Sequence, residues 1–473
     1  MTKILKCISP IDGSLFAQSE TLTTKQAQAA VANSRKAQPS WAQRPLQERI
    51  DLVMAGVLKL GETEDEAIIE LAHQMGRPVS NGGEYSGFKF RAETMAEIAE
   101  QGLASIVIEE SDDFTRKIER VPLGVVLVIA PWNYPYMSAV NTIVPALIAG
   151  NAVFLKHAEQ TFLVGERIEK AFHAAGIPAD VFQNIQLDHS MTEQLISAKA
   201  FNFVNFTGSV NGGKAMEKAA AGTFTGVGTE LGGKDPGYVR EDADLDAAVA
   251  TLIDGAMYNS GQCCCGIERI YVHTSLFEQF VEKATALVKT YQLGNPLDPE
   301  TTIGPMANVR FANEVRAQIN EAIAQGAISC VDVFEEDDGG GYLSPTILIN
   351  VNHQMKVMRE ESFGPVVGIM PVRDDAEAIA PVVLEAGELA RERRGAAWRP
   401  VRLFAHALAA GGERRVGMEA QTNDVRQPVQ MGVRRRHALL QQVAQQHLLQ
   451  VEVPEPARDD RVALRQRRVA QRA

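Results

Sequence analysis

Residues 121–135 read V-P-L-G-V-V-L-V-I-A-P-W-N-Y-P. From Gly124 to Ala130 the run is unbroken and apolar, bounded by Pro122 and Pro131. A strand with no polar alternation is buried on both faces, as in parallel sheets covered by helices on each side. The pattern recurs downstream. Residues 141–149 predict a helix and 151–156 a second buried strand. Residues 160–175 predict a helix with Val164, Ile168, Ala171, Phe172 and Ala175 on one face, stopped by Gly176 and Pro178. Further strands are expected at 181–185, 201–206 and 224–231, with a helix at about 212–221. Strands alternating with helices of this length imply right-handed crossovers and a mostly parallel, doubly wound α/β sheet.

Upstream, residues 1–20 suggest short strands around the turn Pro10-Ile11-Asp12-Gly13. Residues 24–110 are Ala- and Glu-rich with helical spacing (Ala27, Ala30, Val31, Ser34; Ile50, Val53, Val57, Leu60) and predict a set of long helices. A second α/β cycle follows, with helices at 245–259, 276–290 and 311–325 and strands at 269–272, 342–348 and 364–370. The expected organisation is a Rossmann-like dinucleotide-binding domain with N-terminal helices over 1–231, a second α/β domain over 232–380, and a poorly defined tail over 381–473.

The chain has 473 residues, 45% hydrophobic and 22% charged, which fits a soluble globular protein of two or three domains. No apolar run approaches the ~20 residues that cross a bilayer, and M-T-K-I-L-K-C-I-S-P lacks the features of a secretory signal. The net charge of -12 argues against a nucleic-acid partner. Five cysteines, three of them adjacent, suit a reducing compartment, so the cytoplasm is expected. Residues 381–473 differ in style, with 17 Arg, 10 acidic residues and no Lys, a net of +7; residues 1–380 therefore carry -19.

The three adjacent cysteines lie in Y-N-S-G-Q-C-C-C-G-I, Tyr258 to Ile267. Contiguous thiols do not converge on one metal ion, and neighbours bridge only with strain. A nucleophile with two polarisable neighbours remains, beside three thiols packed as small hydrophobes. Other segments could carry chemistry. Asn133, in P-W-N-Y-P after a buried strand, could donate to an oxyanion, or could simply build a turn. Thr207-Gly208-Ser209, between strand and helix, presents N–H groups that favour phosphate, though without the G-x-G-x-x-G fingerprint. Glu159, in K-H-A-E at the end of a strand, could accept from ribose hydroxyls, or merely open a helix. Glu230, in E-L-G-G-K, could activate a water; Glu361 lies in E-E-S-F-G-P. Each of these carboxylates could equally be a loop charge.

Taken as an ordered set, P-W-N-Y-P, F-T-G-S, E-L-G-G-K, G-Q-C-C-C and E-S-F-G-P resemble the motifs of the NAD(P)-dependent aldehyde dehydrogenase superfamily, over about residues 8–380. The 34-residue step from Glu230 to Cys264 fits as well. The resemblance implies that Cys264 attacks the aldehyde, forming a thiohemiacetal whose oxyanion the Asn133 amide and the Cys264 N–H hold. Loss of hydride to the nicotinamide leaves a thioester, and Glu230 activates the water that hydrolyses it to the acid. A thiolate suits this task near neutral pH. Lys156 and Glu159 resemble the adenine-ribose pair, which implies NAD over NADP. Gly208 and Ser209 resemble the pyrophosphate turn. Glu361 and Phe363 resemble the nicotinamide-ribose contact and its packing partner, and Tyr134 the substrate channel. No metal is implied; the partner is a small aldehyde, and a homo-oligomer is expected of the family.

Two departures matter. Asn141-Thr142 stand where many members carry Trp-Lys, so the aldehyde is left unnamed. After residue 380 the family's Asn-x-Ser/Thr-x-Tyr-Gly-Leu segment is missing, and Arg391-Glu-Arg-Arg394, Arg434-Arg-Arg436 and a Gln-rich stretch stand instead. A reading-frame change near position 380 accounts for this better than a divergent native tail. It predicts little soluble, NAD-reducing enzyme. Two alternatives follow: a catalytically silent dinucleotide-binding member, and a CoA-acylating relative, which a water base at Glu230 disfavours.

Overall fold

The computed structural model describes residues 2–380 and the pair His406–Ala407; the readings made for the remainder of the tail lie outside the described residues. The chain opens on an antiparallel hairpin, β1 (Ile4–Ile8) and β2 (Leu15–Glu20). Five helices follow, α1 (Thr24–Ala42), α2 (Leu46–Gly61), α3 (Glu64–Met75), α4 (Tyr85–Glu97) and α5 (Ala99–Leu103). Residues 106–110, expected to close the helical set, instead pair as β3 (Ile106–Glu110) with β4 (Thr115–Ile118). The β-branched run I-V-I favours the strand.

The apolar run forms β5 (Val125–Ala130), buried at all six positions. Its side chains divide as an extended strand requires. Val126, Val128 and Ala130 enter one core with Val140, Ile143 and Phe172; Val125, Leu127 and Ile129 enter another with Phe154, Phe201 and Ile196. Then come α6 (Pro135–Ile148), β6 (Ala152–His157), α7 (Phe162–Ala174), β7 (Phe182–Asn184), α8 (His189–Ser197), β8 (Phe203–Gly208), α9 (Val210–Ala220) and β9 (Gly226–Leu231). The sheet runs β7-β6-β5-β8-β9, parallel throughout. Strand order reverses between β5 and β8, so a crevice opens beyond their carboxyl ends, the usual ligand position in such sheets.

The second sheet contains β10 (Asp235–Val239), β11 (Ile267–His273), β12 (Ile328–Ser329), β13 (Thr346–Ile349), β14 (Val366–Val372) and β15 (His406–Ala407), in the order β12-β13-β14-β11-β10-β15. Only the β12–β13 pairing is antiparallel. Helices α10 (Leu245–Met257), α11 (Phe277–Val288) and α12 (Val309–Ala324) accompany it. Further elements differ from the sequence reading. Helix α6 starts at Pro135, not near 141, because proline fits the first helical position. Helix α8 was unforeseen; Asp188 caps it, accepting from the Met191 N–H at 2.7 Å. Strand β10, D-P-G-Y-V, carries the two residues least favoured in strands, and its register shifts at Asp235/Pro236.

Candidate active site

The cysteine run follows α10 across a tight turn. Asn259 and Ser260 both take left-handed backbone angles, φ 55° and 56°, and Gly261 follows at 68°. Non-glycine residues hold that region only when their surroundings fix them. A side chain on Gly261 would strike the Gly364 carbonyl, so the E-S-F-G-P loop lies directly against this turn. Ser260 Oγ donates to the Gly304 carbonyl at 2.9 Å; Gln262 Nε2 donates to the Asn259 carbonyl at 3.1 Å, and Gln262 Oε1 accepts from the Ala307 N–H at 2.8 Å. The turn thus presents Cys264 and Cys265 exposed and Cys263 half-buried.

Cys263 and Cys265 have their sulfurs 3.4 Å apart. The three thiols titrate together. Bonds from Cys263 and Cys264 hold Cys265 low, at about 3. Cys264 is raised to about 11: its bond with Cys263 lowers it, but the bond with Cys265 and burial outweigh that. Cys263 is raised by its bonds to both neighbours.

Asn133 is buried, and its Nδ2 donates to the Gln262 carbonyl at 3.2 Å, two residues before Cys264. Behind it stands Arg77, which the sequence reading missed. Arg77 Nη2 donates to the Asn133 carbonyl at 2.6 Å, Nε to Asn259 Oδ1 at 3.1 Å, and Nη1 to Glu84 Oε1 at 2.6 Å. Asn259 Nδ2 returns to the Gln262 carbonyl at 3.3 Å, closing a ring of bonds around the two loops. Glu84 Oε2 accepts from the Met137 N–H at 2.7 Å in the first turn of α6. Tyr134 stacks under the Arg77 guanidinium at 4.7 Å, and burial pushes its phenol well up.

The carboxylates are placed differently from one another. Glu361 lies against Gly232, where any side chain would displace it, so E-L-G-G-K and E-S-F-G-P meet. Burial, then the nearby Glu268, raises Glu361 to about 7. Phe363, at φ 54°, meets Trp132 edge-on at 5.5 Å, and Trp132 stacks on Phe311 at 5.3 Å. This loop is held by a second buried pair outside the sequence reading. Lys234 Nζ meets Glu268 Oε2 at 2.7 Å, and Glu268 accepts the N–H groups of Ser362 at 2.7 Å and Phe363 at 2.9 Å. Glu230 is exposed, opposite Thr207 near the end of β9, and makes no bond to a cysteine among the described residues.

At the other end of the crevice, Lys156 is buried and lowered to about 8 by that burial, its Nζ 3.3 Å from the His157 carbonyl. Glu159 is exposed, and one oxygen accepts from the Lys6 N–H at 3.1 Å. Gly208 ends β8, and Ser209 caps α9, accepting from the Gly212 N–H at 3.2 Å. The first N–H groups of α9 have no acceptor within the helix and face an exposed turn, which suits an anion. A buried amine and an exposed carboxylate at the end of β6, and a helix start after β8, on either side of β5, suit a dinucleotide. Arg77, Glu84 and Glu268 carried no usable sequence signal: each lies in a loop or at a strand edge, and each gains its role from partners far along the chain.

A doubly wound parallel sheet with a crevice at its switch point is the architecture of dinucleotide-dependent enzymes. The profile of the aldehyde dehydrogenase family matches residues 2–382, and the chain belongs to that family. The succinate-semialdehyde dehydrogenase [NADP(+)] of Deinococcus radiodurans is 30% identical, the alignment covering 79% of this chain and 78% of that protein. The betaine aldehyde dehydrogenase of Rhizobium leguminosarum bv. trifolii is 33% identical over 80% of this chain and 78% of that one. An indole-3-acetaldehyde dehydrogenase solved with NAD+ superposes with a TM-score of 0.76 at 31% identity, covering 80% of this chain and 78% of the other. The chain is thus an NAD(P)-dependent aldehyde dehydrogenase by family, and aldehyde oxidation is its general chemistry. The family match ends at 382, close to the departure read from the sequence. Among the described residues no helix is long and apolar enough to cross a membrane.

Proposed function

We propose that this chain oxidises an aldehyde to its carboxylic acid through a thiohemiacetal and a thioester on Cys264. The observation that carries this reading is the 3.2 Å bond from Asn133 Nδ2 to the Gln262 carbonyl, beside an exposed Cys264. An amide has two N–H groups, so the second remains for an oxyanion formed on attack at Cys264 Sγ. Cys264 attacks as its thiolate, its proton having passed to solvent. NAD, when bound, supplies the hydride acceptor. Lys156, Glu159 and the Gly208-Ser209 turn would hold its adenosine and pyrophosphate, and Glu361 and Phe363 its nicotinamide end. Glu230, exposed beside β8, is the base for the water that releases the acid.

NAD is preferred over NADP in this reading, because the Glu159 carboxylate repels a 2'-phosphate. The division into a dinucleotide-binding part over 1–231 and a catalytic part over 232–380 follows the two sheets. A homo-oligomer is supported by the β3–β4 hairpin, whose residues are all exposed, Ile106, Val107, Ile108 and Ile118 among them; a bare two-stranded hairpin is marginal in water. The cytoplasm remains the expected location. The test is NADH formation from a series of aldehydes, with Cys264→Ala as control. NAD binding without NADH from any aldehyde would instead favour the silent member, and acyl-CoA on adding CoA would favour the acylating one.

A further inference from the structure

Helix α4, packed against α6, carries a cation that the proposed mechanism leaves unused. Arg91 lies on α4, one turn after Gly87, and Gly87 is the point where Met137 of α6 packs with no room for a side chain. Residues four apart share a helix face, so Arg91 reaches α6 as well. Its Nη1 donates to Asn141 Oδ1 at 2.9 Å and to the Met137 carbonyl at 3.2 Å. Both acceptors are neutral. Among the described residues Arg91 forms no ion pair, and its Nε and Nη2 have no partner. Of the nearby carboxylates on its own helix, Glu93 is engaged with Lys89 at 3.7 Å. Glu84 is taken by Arg77 and the Met137 N–H.

The position of this cation relative to the cysteines follows from α6. Tyr134, Met137, Ser138 and Asn141 recur at helical spacing along one face, and all are half-buried or exposed, while Tyr136, Ala139, Val140, Ile143 and Val144 on the opposite side are buried. Asn133, just before that face, donates to the carbonyl of Gln262, which directly precedes the cysteine run, at 3.2 Å. Asn141 lies seven residues beyond Tyr134, about 10 Å along the axis at ~1.5 Å per residue. An open guanidinium edge thus stands a short carbon chain away from the displayed thiols. The Nε and Nη2 edge presents two parallel N–H groups, the geometry that takes a carboxylate in a bidentate manner.

We propose that Arg91 makes this enzyme selective for aldehydes bearing an anionic group a few carbons from the carbonyl, the ω-oxo acids. The proposal rests on the reading of Cys264 as nucleophile, but it concerns which aldehydes reach it. Asn141 sets the role, holding the guanidinium without cancelling its charge. An aspartate there would neutralise it.

The test uses the full chain with 4-oxobutanoate, 5-oxopentanoate, butanal and 4-aminobutanal. A charged hydrogen bond is worth enough to give roughly 10–100-fold discrimination. The expected result is that kcat/KM for an oxo acid exceeds that for butanal by ~10-fold or more, with 4-aminobutanal poorest. Arg91→Met lowers the oxo-acid to butanal ratio ~10–100-fold, through KM, and Arg91→Lys falls between. Butanal turned over as well as both oxo acids, or an unchanged ratio in Arg91→Met, overturns the proposal. A second measurement needs no turnover: alkylation of the cysteine run by iodoacetate against iodoacetamide, mapped by peptide mass. The iodoacetate preference should drop ~10-fold in Arg91→Met, and an unaltered preference sinks the idea. If that preference drops while no aldehyde yields NADH, the dehydrogenase reading fails and the anion site stands.

Discussion

Arg77→Met tests the framework of the site most directly. The Arg77 and Glu84 side chains are each 3% exposed, and their charges meet at 2.6 Å. Deleting the guanidinium leaves the Glu84 carboxylate buried with only the backbone N–H groups of Met137 and Tyr136 as partners. Losing one member of such a pair costs about 3–5 kcal/mol. With an unfolding entropy of ~2.1 cal/mol/K per residue over ~380 residues, that corresponds to a fall in Tm of about 4–6 °C. Activity should fall independently. Without Nη2 and Nε the Asn133 carbonyl and the Asn259 side chain lose their common anchor, and a misplaced oxyanion donor costs ~100-fold in kcat. The double variant Arg77→Met/Glu84→Gln separates the two effects. It removes the stranded charge and should recover most of the lost Tm while kcat stays low. Thermal unfolding and steady-state kinetics of wild type, single and double variants suffice. If the double variant melts with the wild type and keeps kcat within ~3-fold, Arg77 only stabilises the fold and the coupling argued here is wrong.

Other perturbations bear on separate parts of the site. Glu268→Gln should weaken NAD binding ~10-fold, by loosening the Ser362 and Phe363 N–H groups, while alkylation of Cys264 stays at the wild-type rate; isothermal titration and alkylation kinetics read the two. Glu361, raised to about 7 by burial, is protonated below that pH and ionised above it. NAD affinity should therefore rise as pH passes upward through about 7, and Glu361→Gln should flatten the rise. The sign for stability is opposite: the folded state holds this proton where the unfolded chain has released it, so Glu361 destabilises increasingly from the ordinary carboxylate range up to about 7. Mass spectrometry of protein from its native source should find no peptides from residues 391–473 if the reading frame changes near 380, and their recovery would establish the tail as genuine. Robust NADH formation by the recombinant 473-residue chain would refute the expectation that this tail impairs it.

The sheet that builds the crevice was legible because V-V-L-V-I-A has only one stable environment, buried on both faces. The surrounding helices followed from their apolar spacing and their Gly and Pro stops. Strand β10 was not legible, because Pro236 and Gly237 hide a strand whose stability comes from parallel pairing with β11 on one side and β15 on the other. The β3–β4 hairpin was absorbed into the helical stretch before it, since composition alone does not mark where a helical series ends. At the site, the residues read from motifs all lie at strand ends or on adjoining loops. Those missed, Arg77, Glu84, Asn259 and Glu268, are buried polar groups whose value lies largely in bonds across long sequence separations, such as Arg77 to Asn259 and Glu268 to Ser362, which no local pattern encodes. Arg91 could be found only once α4 and α6 were seen to pack at Gly87.

The bond between Glu159 and the Lys6 N–H has a practical side. A carboxylate assigned to discriminating between cofactors is shared with a strand that begins four residues into the chain. A purification handle fused in front of Met1 would adjoin the strand that holds the side chain proposed to read the ribose. Assays of NAD against NADP preference are therefore cleanest on untagged protein, and a preference that changes when a leader is cleaved off would trace back to this shared oxygen.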